Sequence, residues 1–193
     1  MSQNPESIIL AISGASGAIL GIRALELLKK AGVETHLVIS KSGRLTIASE
    51  TDWKLKDVEA LADHSYPPDQ IGAQIASGSF STGGMLVAPC SIKTLSGIAN
   101  SYNDNLIARA ADVCLKEGRP VVLAVREAPL HAGHLRLMKQ ASRAGAVIFP
   151  PVPAFYSGAQ SVDELITQMA GRMLQRLGIA NEAYKRWGGL KKP

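Results

Sequence analysis

The chain has 193 residues, enough for one domain with a sizeable core, and its 46% hydrophobic and 19% charged residues exclude a disordered protein. The net charge is +5, but the basic residues are scattered and aromatic residues make up only 5%, which favours an anionic small ligand over nucleic acid. The early apolar run is too short for a signal peptide or membrane span, and Cys90 and Cys114 lack metal-ligand spacing, so we expect a cytoplasmic protein with free thiols.

Apolar, β-branched runs alternate with helical patterns along the whole chain. The predicted strands are "SIILAI", "VETHLVI", "GMLVA", "PVVLAV" and "AVIFP", and the predicted helices begin near Ala18, Ser42, Ile92, Asp104, His131 and Ser161. Continuous apolar strands separated by helices are typical of a parallel sheet that is covered on both faces. We therefore predict one doubly wound, Rossmann-like α/β domain over residues 1–193.

The first strand runs into "SGASGA", residues 13–18. Its glycines allow a sharp turn and close approach of a ligand, and the following helix offers free N–H groups to an anion. A Walker lysine and the full dinucleotide fingerprint are absent, and the second strand ends in Ser40 and Lys41 instead of an acid. A mononucleotide fits better, with its phosphate at this helix start and Ser40 near its sugar or ring; a tight turn without ligand is the alternative.

Residues 52–82 form a long connection with no obvious strand. A connection of this length in a compact domain is usually functional or part of an interface. We expect this segment and the tail, residues 178–193, to make oligomer contacts.

A second polar turn follows the strand "GMLVA". Pro89 is predicted to break that strand, and Ser91 and Thr94 flank the start of the next helix. They suit a second anion or the polar edge of a flavin, although plain helix capping is the alternative. Two such turns at the carboxyl ends of neighbouring parallel strands favour a ligand site, and Cys90 between them is interpreted as a packed residue.

The charged residues of the next two elements have competing interpretations. Arg109, Asp112 and Lys116 share one helix face, which is more typical of a surface charge ladder than of a site. Arg126 and Glu127 end the strand "PVVLAV", where the arginine suits a phosphate and a buried glutamate can shuttle a proton. An ion pair that closes the sheet is the alternative.

The last helix opens with a predicted capping box of Ser161 and Glu164. Phe155 and Tyr156 before it can form an apolar wall with one hydroxyl, and Arg172 lies on the flank of the apolar stripe of the helix. His131 and His134 are three residues apart without a further ligand, so no metal site is predicted.

Seven segments, in chain order, carry a resemblance to a known family: "SGASGA", "VISKSG", "ASETD", "APCSIKTLSGIA", "LIARAADVCLKEGRPVVLAVREAPLH", "PPVPAFY" and "RWG". They closely resemble the UbiX-type flavin prenyltransferases, some of which are named as subunits of aromatic-acid decarboxylases. The match runs from about Ile8 to Trp187. The resemblance implies reduced FMN as acceptor, dimethylallyl monophosphate as donor, no metal, and a prenylated FMN, joined at N5 and C6, that serves UbiD-type decarboxylases. It also implies dodecamers with active sites shared between neighbouring subunits. The pathway of the partner decarboxylase, either ubiquinone synthesis or the breakdown of phenolic acids, is left open.

The resemblance also assigns residues by position. The FMN contacts it implies are Gly14, Ala15, Ser16, Ser40, Ser91, Ile92, Lys93, Thr94 and Arg126. The implied ligands of the dimethylallyl phosphate are Arg109, Lys116, Tyr156 and Arg172. Glu127 matches the proton-transfer carboxylate of the family, Ser16 and Glu50 its supporting network, and Trp187 its tail tryptophan. The segment "PPDQIGAQIASGS" lacks the aromatic residue that covers the prenyl group in some relatives.

Two other functions compete with this one. A flavin-dependent cysteinyl decarboxylase should carry a histidine at a flavin-facing helix start and a "PxMN"-like clamp, whereas "PPVPAFY" occupies the comparable loop. A non-catalytic FMN-binding accessory subunit would not need a second phosphate site, and Lys116, Tyr156 and Arg172 are all present.

Overall fold

The computed structural model describes residues 4–189. Six strands form one parallel sheet: β1 (Ser7–Ile12), β2 (Glu34–Ile39), β3 (His64–Tyr66), β4 (Met85–Cys90), β5 (Val121–Val125) and β6 (Val147–Ile148). The helices are α1 (Ala18–Lys30), α2 (Lys41–Glu50), α3 (Leu55–Glu59), α4 (Ile92–Ala99), α5 (Leu106–Lys116), α6 (Ala132–Arg143) and α7 (Val162–Gln175). Short 3₁₀ turns cover Gln74–Ala76 and Phe155–Ser157.

Helices cover both faces of the sheet, as predicted. Because side chains alternate along a strand, Leu10 and Ile12 of β1 enter one core and Ile9 enters the other. The first core is closed by α1, α2, α3 and α7, and the second by α4, α5 and α6. The predicted doubly wound α/β fold is confirmed. Within residues 4–189, none of the helices combines the length and apolarity needed to cross a membrane.

In the strand order β3-β2-β1-β4-β5-β6, the chain adds β2 and β3 on one side of β1 and then crosses to add β4, β5 and β6 on the other side. In open α/β sheets ligands bind outside the carboxyl ends of the strands at this switch point. Ser13 joins the two strand ends there: its Oγ donates to the carbonyl of Pro89 at 2.9 Å and accepts the N–H of Ser91 at 2.8 Å. The edge of the sheet that should hold the ligand is therefore braced by a buried hydroxyl.

Three predictions about local structure were wrong in detail. The long connection, predicted to have no obvious strand, contains β3, whose first two residues are exposed at the sheet edge and so lack an apolar pattern. Pro89 lies within β4, where the register with β5 shifts, instead of ending the strand. The Ser161 hydroxyl does cap α7 at 3.1 Å, but Glu164 accepts the N–H of Gln160 at 2.7 Å and not that of Ser161.

Candidate active site

A cleft of about 1230 Å³ opens at the carboxyl edge of the sheet. The first residues of α2, α4, α5 and α6 line it together with the glycine loop and the end of β5. Of the residues predicted to bind FMN or to act in catalysis, it contains Gly14, Ser40, Ser91, Ile92, Lys93, Thr94 and Glu127. A volume above the usual 300–1,000 Å³ of small-molecule pockets leaves room for a flavin and a second ligand.

Four helices begin at this cleft; α2, α4 and α6 do so because they follow strands at this edge of the parallel sheet, and α5 starts there after the loop that follows α4. Side chains cap the first turns: Ser40 accepts the N–H of Gly43 at 2.9 Å, Ser91 that of Thr94 at 3.3 Å, and Asn105 that of Ala108 at 3.1 Å. The remaining N–H groups and the helix dipoles create a positive potential. The cleft therefore suits an anionic ligand such as a phosphate.

The glycine loop is tightly packed. A Cβ on Gly14 would collide with Cβ of Ser42, so only glycine fits where β1 meets the start of α2. Gly17 caps α1 in the left-handed conformation, and its N–H donates to Oε2 of Glu50 at 2.7 Å. A carboxylate thus occupies the start of α1, where the sequence predicted the mononucleotide phosphate.

The predicted pair at the end of β5 is exposed. Both Arg126 and Glu127 face solvent, and Glu127 accepts the N–H of Ala128 at 3.1 Å. Within the described chain no ion pair joins them, so the alternative of an ion pair closing the sheet is wrong. We expected Glu127 to be buried, but residues 126–130 are all exposed in the single chain.

Three cations from α5 and its end surround the loop of residues 76–80. Arg109 donates to the carbonyl of Ala76 at 3.2 Å and pairs with Asp112 at 3.4 Å, as its helix spacing predicted. Arg119 donates to the carbonyls of Phe80 at 2.6 Å and Gly78 at 2.9 Å. Sequence reasoning did not identify Arg119, whose only signal was its place three residues after Lys116.

Lys116 lies beside this loop as well. Its Nζ pairs with Glu117, and this hydrogen bond lowers the pKa of the Glu117 carboxyl. A Cβ on Gly78 would lie 2.8 Å from Lys116 Nζ, so the glycine lets the loop approach the ammonium group. Two of the predicted ligands of the donor phosphate, Arg109 and Lys116, therefore converge on one loop, although neither lines the cleft.

The remaining predicted donor ligands lie near α7. Tyr156 is half-exposed, and its ring packs edge-on against Trp187 with 5.3 Å between centroids. Arg172 is exposed, donates to Gln175 and lies 5.8 Å from the centroid of the Tyr184 ring. Neither Tyr156 nor Arg172 lines the cleft of its own chain. Ala15, Ser16, Glu50 and Arg126 also lie outside the residues that line it.

Cys90, next to the cleft, behaves as the predicted packed residue. It is fully buried, and burial raises the pKa of its thiol to about 12. Burial also raises the pKa of the Cys114 thiol to about 11. Neither thiol forms the thiolate that nucleophilic catalysis needs near neutral pH.

Comparisons with known proteins agree with this geometry. Residues 1–173 match the family model described as Flavoprotein. The chain is 55% identical over 185 residues to the flavin prenyltransferase UbiX of Escherichia coli K12, covering 94% of this chain and 98% of that protein. Among solved structures it resembles AnUbiX (PadA1) in complex with FMN and dimethylallyl pyrophosphate, with a TM-score of 0.94, 49% identity and coverage of 96% and 99% of the two chains. It also resembles a dodecameric FMN-dependent UbiX-like decarboxylase from Escherichia coli O157:H7, with a TM-score of 0.92, 47% identity and coverage of 95% and 100%.

Proposed function

The chain belongs to the flavoprotein family and, within it, to the UbiX-type flavin prenyltransferases, and we propose that it transfers the dimethylallyl group of dimethylallyl monophosphate to N5 and C6 of reduced FMN. The observation that carries this proposal is the cleft at the switch point, where four helix starts meet Glu127. The relative captured with FMN and dimethylallyl pyrophosphate supports the two-ligand interpretation.

The residues of the cleft fit FMN. Capped helix starts at Ser40 and Ser91 offer backbone N–H groups for a phosphate, and Ile92 offers an apolar side chain for the ring. Nδ1 of His134, which also lines the cleft, is buried and has no hydrogen-bond partner in the described part of the chain. A buried polar atom left unpaired beside a cleft costs free energy that a hydrogen-bond partner would recover. Because Glu50 occupies the start of α1, we assign the FMN phosphate to the starts of α2 and α4.

The bound reduced flavin supplies the nucleophilic N5 and C6 atoms. Arg109 and Lys116 do not line the cleft of their own chain, and in this proposal they bind the donor phosphate in the cleft of a neighbouring subunit and stabilise the charge that grows on it as the allylic bond breaks. Glu127 accepts the proton released at C6; the departing phosphate is the other candidate base. Ser16 and Glu50 belong to the polar network beside the glycine loop, where the carboxylate of Glu50 orders the N–H of Gly17.

A neighbouring subunit completes the site in this proposal. Tyr156 and Arg172 lie outside the cleft of their own chain, and exposed apolar side chains such as Phe155 (83% exposed) and Val162 (73% exposed) flank them. We propose a homododecamer, the assembly recorded for the E. coli O157:H7 structure, with Tyr156, Arg172 and Trp187 facing the next cleft. The product goes to a UbiD-type decarboxylase, and two buried free thiols fit a cytoplasmic location.

The direct test is an anaerobic incubation of the purified protein with reduced FMN and dimethylallyl monophosphate. Mass spectrometry of the extracted flavin should show the addition of one prenyl unit, and oxidised FMN should give no addition. A parallel incubation with dimethylallyl pyrophosphate tests whether the phosphate-binding site accepts a longer leaving group.

Two results would contradict the proposal in different ways. FMN binding without any change in flavin mass would identify a flavin-carrying accessory subunit. Failure to bind FMN in a fluorescence titration would show that the cleft is not the flavin site.

A further inference from the structure

A second cluster of chemistry-bearing side chains lies at the opposite edge of the sheet from the cleft. Glu34 and His36 are the first and third residues of β2, and His64 begins β3. The parallel register pairs His36 with His64, and Glu34 shares the face of His36 because side chains alternate along a strand. One potential ligand atom from each residue lies within 4.8 Å of those of the other two.

His36 is the fixed member of this cluster. It is 1% exposed, stacks on the His64 ring at 4.7 Å and meets the edge of Phe80 at 4.8 Å. Its Nδ1 lies 2.9 Å from the hydroxyl of Tyr66, which also accepts a hydrogen bond from Gln74 at 2.8 Å. When Nδ1 carries the proton, Tyr66 holds the ring so that the lone pair of Nε2 points into the cluster.

The Nε2 atom of His36 has no hydrogen-bond partner in the described part of the chain. It is buried, and although Oε1 of Glu34 lies 3.3 Å away, the geometry does not form a hydrogen bond. The same Oε1 atom is 2.9 Å from Nε2 of His64. A buried imidazole nitrogen that faces a carboxylate and a second imidazole is surrounded by the groups that bind zinc in proteins.

We propose that Glu34, His36 and His64 form a zinc site, with water in the fourth position. Two imidazoles and one carboxylate suit Zn²⁺, whereas Ca²⁺ and Mg²⁺ prefer oxygen ligands alone. Zinc bonds of about 2.0–2.2 Å require the His64 ring to rotate out of its stack on His36, because two nearly parallel rings cannot both point a nitrogen at one metal. The side chains of His64 and Glu34 are 47% and 48% exposed and are free to move, while His36 stays in place.

Such a site would have a structural role. Zinc would join the edge strand β3 to β2, and the contact of Tyr66 with Gln74 links β3 to the turn that precedes residues 76–80. It would thereby stabilise the long connection from the side remote from the cleft. The proposal is independent of the proposed prenyl transfer, because none of the three ligands lines the cleft.

The test is a calorimetric titration of the tag-free, chelator-treated protein with zinc chloride. The wild-type chain should bind one Zn²⁺ per chain at this site, and Co²⁺ should give the visible absorption bands of a tetrahedral site. His64→Ala and Glu34→Gln should each abolish this binding step. Tyr66→Phe should weaken it by about 10–100-fold, the usual effect of losing a group that orients a ligand.

Two further measurements separate this site from others. The double variant His131→Ala/His134→Ala removes another close histidine pair, with centroids 3.6 Å apart, and should bind zinc like the wild type. Zinc should raise the melting temperature of the wild type but not that of His64→Ala. The proposal is refuted if the wild type binds no zinc, if His64→Ala and Glu34→Gln bind it unchanged, or if the His131/His134 variant loses it.

Discussion

Replacing Glu127 by glutamine separates a catalyst from a flavin carrier. The carboxylate lines the cleft, is exposed, and has one hydrogen bond in the described part of its own chain, accepted from the N–H of Ala128 at 3.1 Å. The amide oxygen of glutamine keeps that bond, so the free energy of unfolding should change by less than about 0.5 kcal/mol. Glutamine cannot accept a proton, and loss of a positioned acid–base group costs about 10²–10⁴ in rate, or about 2.7–5.4 kcal/mol in activation free energy.

The assay is a single-turnover reaction of pre-bound reduced FMN with excess dimethylallyl monophosphate, followed by quenching and mass analysis of the flavin. Asp69→Asn removes another carboxylate from the same cleft and controls for the loss of charge. FMN affinity should be unchanged in Glu127→Gln. A wild-type single-turnover rate in that variant would refute the assignment and leave the departing phosphate as the base.

Three further predictions follow from packing, burial and charge. Gly14→Ala should destabilise the fold by about 1–3 kcal/mol in urea denaturation, because its Cβ has no room, whereas Gly72→Ala, which meets open space, should be neutral. The thiols of Cys90 and Cys114, whose pKa values are raised to about 12 and about 11, should resist a thiol reagent at pH 8 until the protein unfolds. Because unfolding returns both pKa values to about 8.5, the free energy of unfolding should fall as the pH rises above that value. A free energy of unfolding that does not change with pH in this range would contradict the burial argument. Arg172→Ala should raise the KM for the prenyl donor by about 10–150-fold, because it removes a charge-assisted hydrogen bond to the donor phosphate in the proposed site. FMN affinity, measured in a titration, should not change.

The elements that could be predicted from the sequence are those whose local pattern agrees with their environment. β1 and β5 are buried on both faces and appear as continuous apolar runs. The strand β3 was missed because three residues at a sheet edge need no apolar pattern, and its pairing with β2 depends on the chain that returns through α3.

The same distinction holds for the candidate site. Ser91 and Thr94 were identifiable because a hydroxyl before an apolar helix marks a cap. The bond between Gly17 and Glu50 joins residues 33 apart in sequence, and Arg119 reaches carbonyls 39 and 41 residues away. Contacts of this kind are set by how α2 and α5 pack on the sheet, which no local pattern encodes.

The two proposed phosphate sites differ in a way that matches what happens to their ligands. The starts of α2 and α4 offer backbone N–H groups ordered by Ser40 and Ser91, and fixed dipoles suit a phosphate that is held in place throughout prenyl transfer and leaves only with the prenylated flavin. Arg109 and Lys116 are side chains beside the partly exposed loop of residues 76–80, and side-chain cations suit the phosphate that departs from the donor. Substitutions at the helix starts should therefore weaken FMN binding, whereas substitutions of the loop-side cations should change the KM for the donor and the rate of phosphate release. A change in FMN affinity of equal size at both places would mean that one phosphate site serves both ligands.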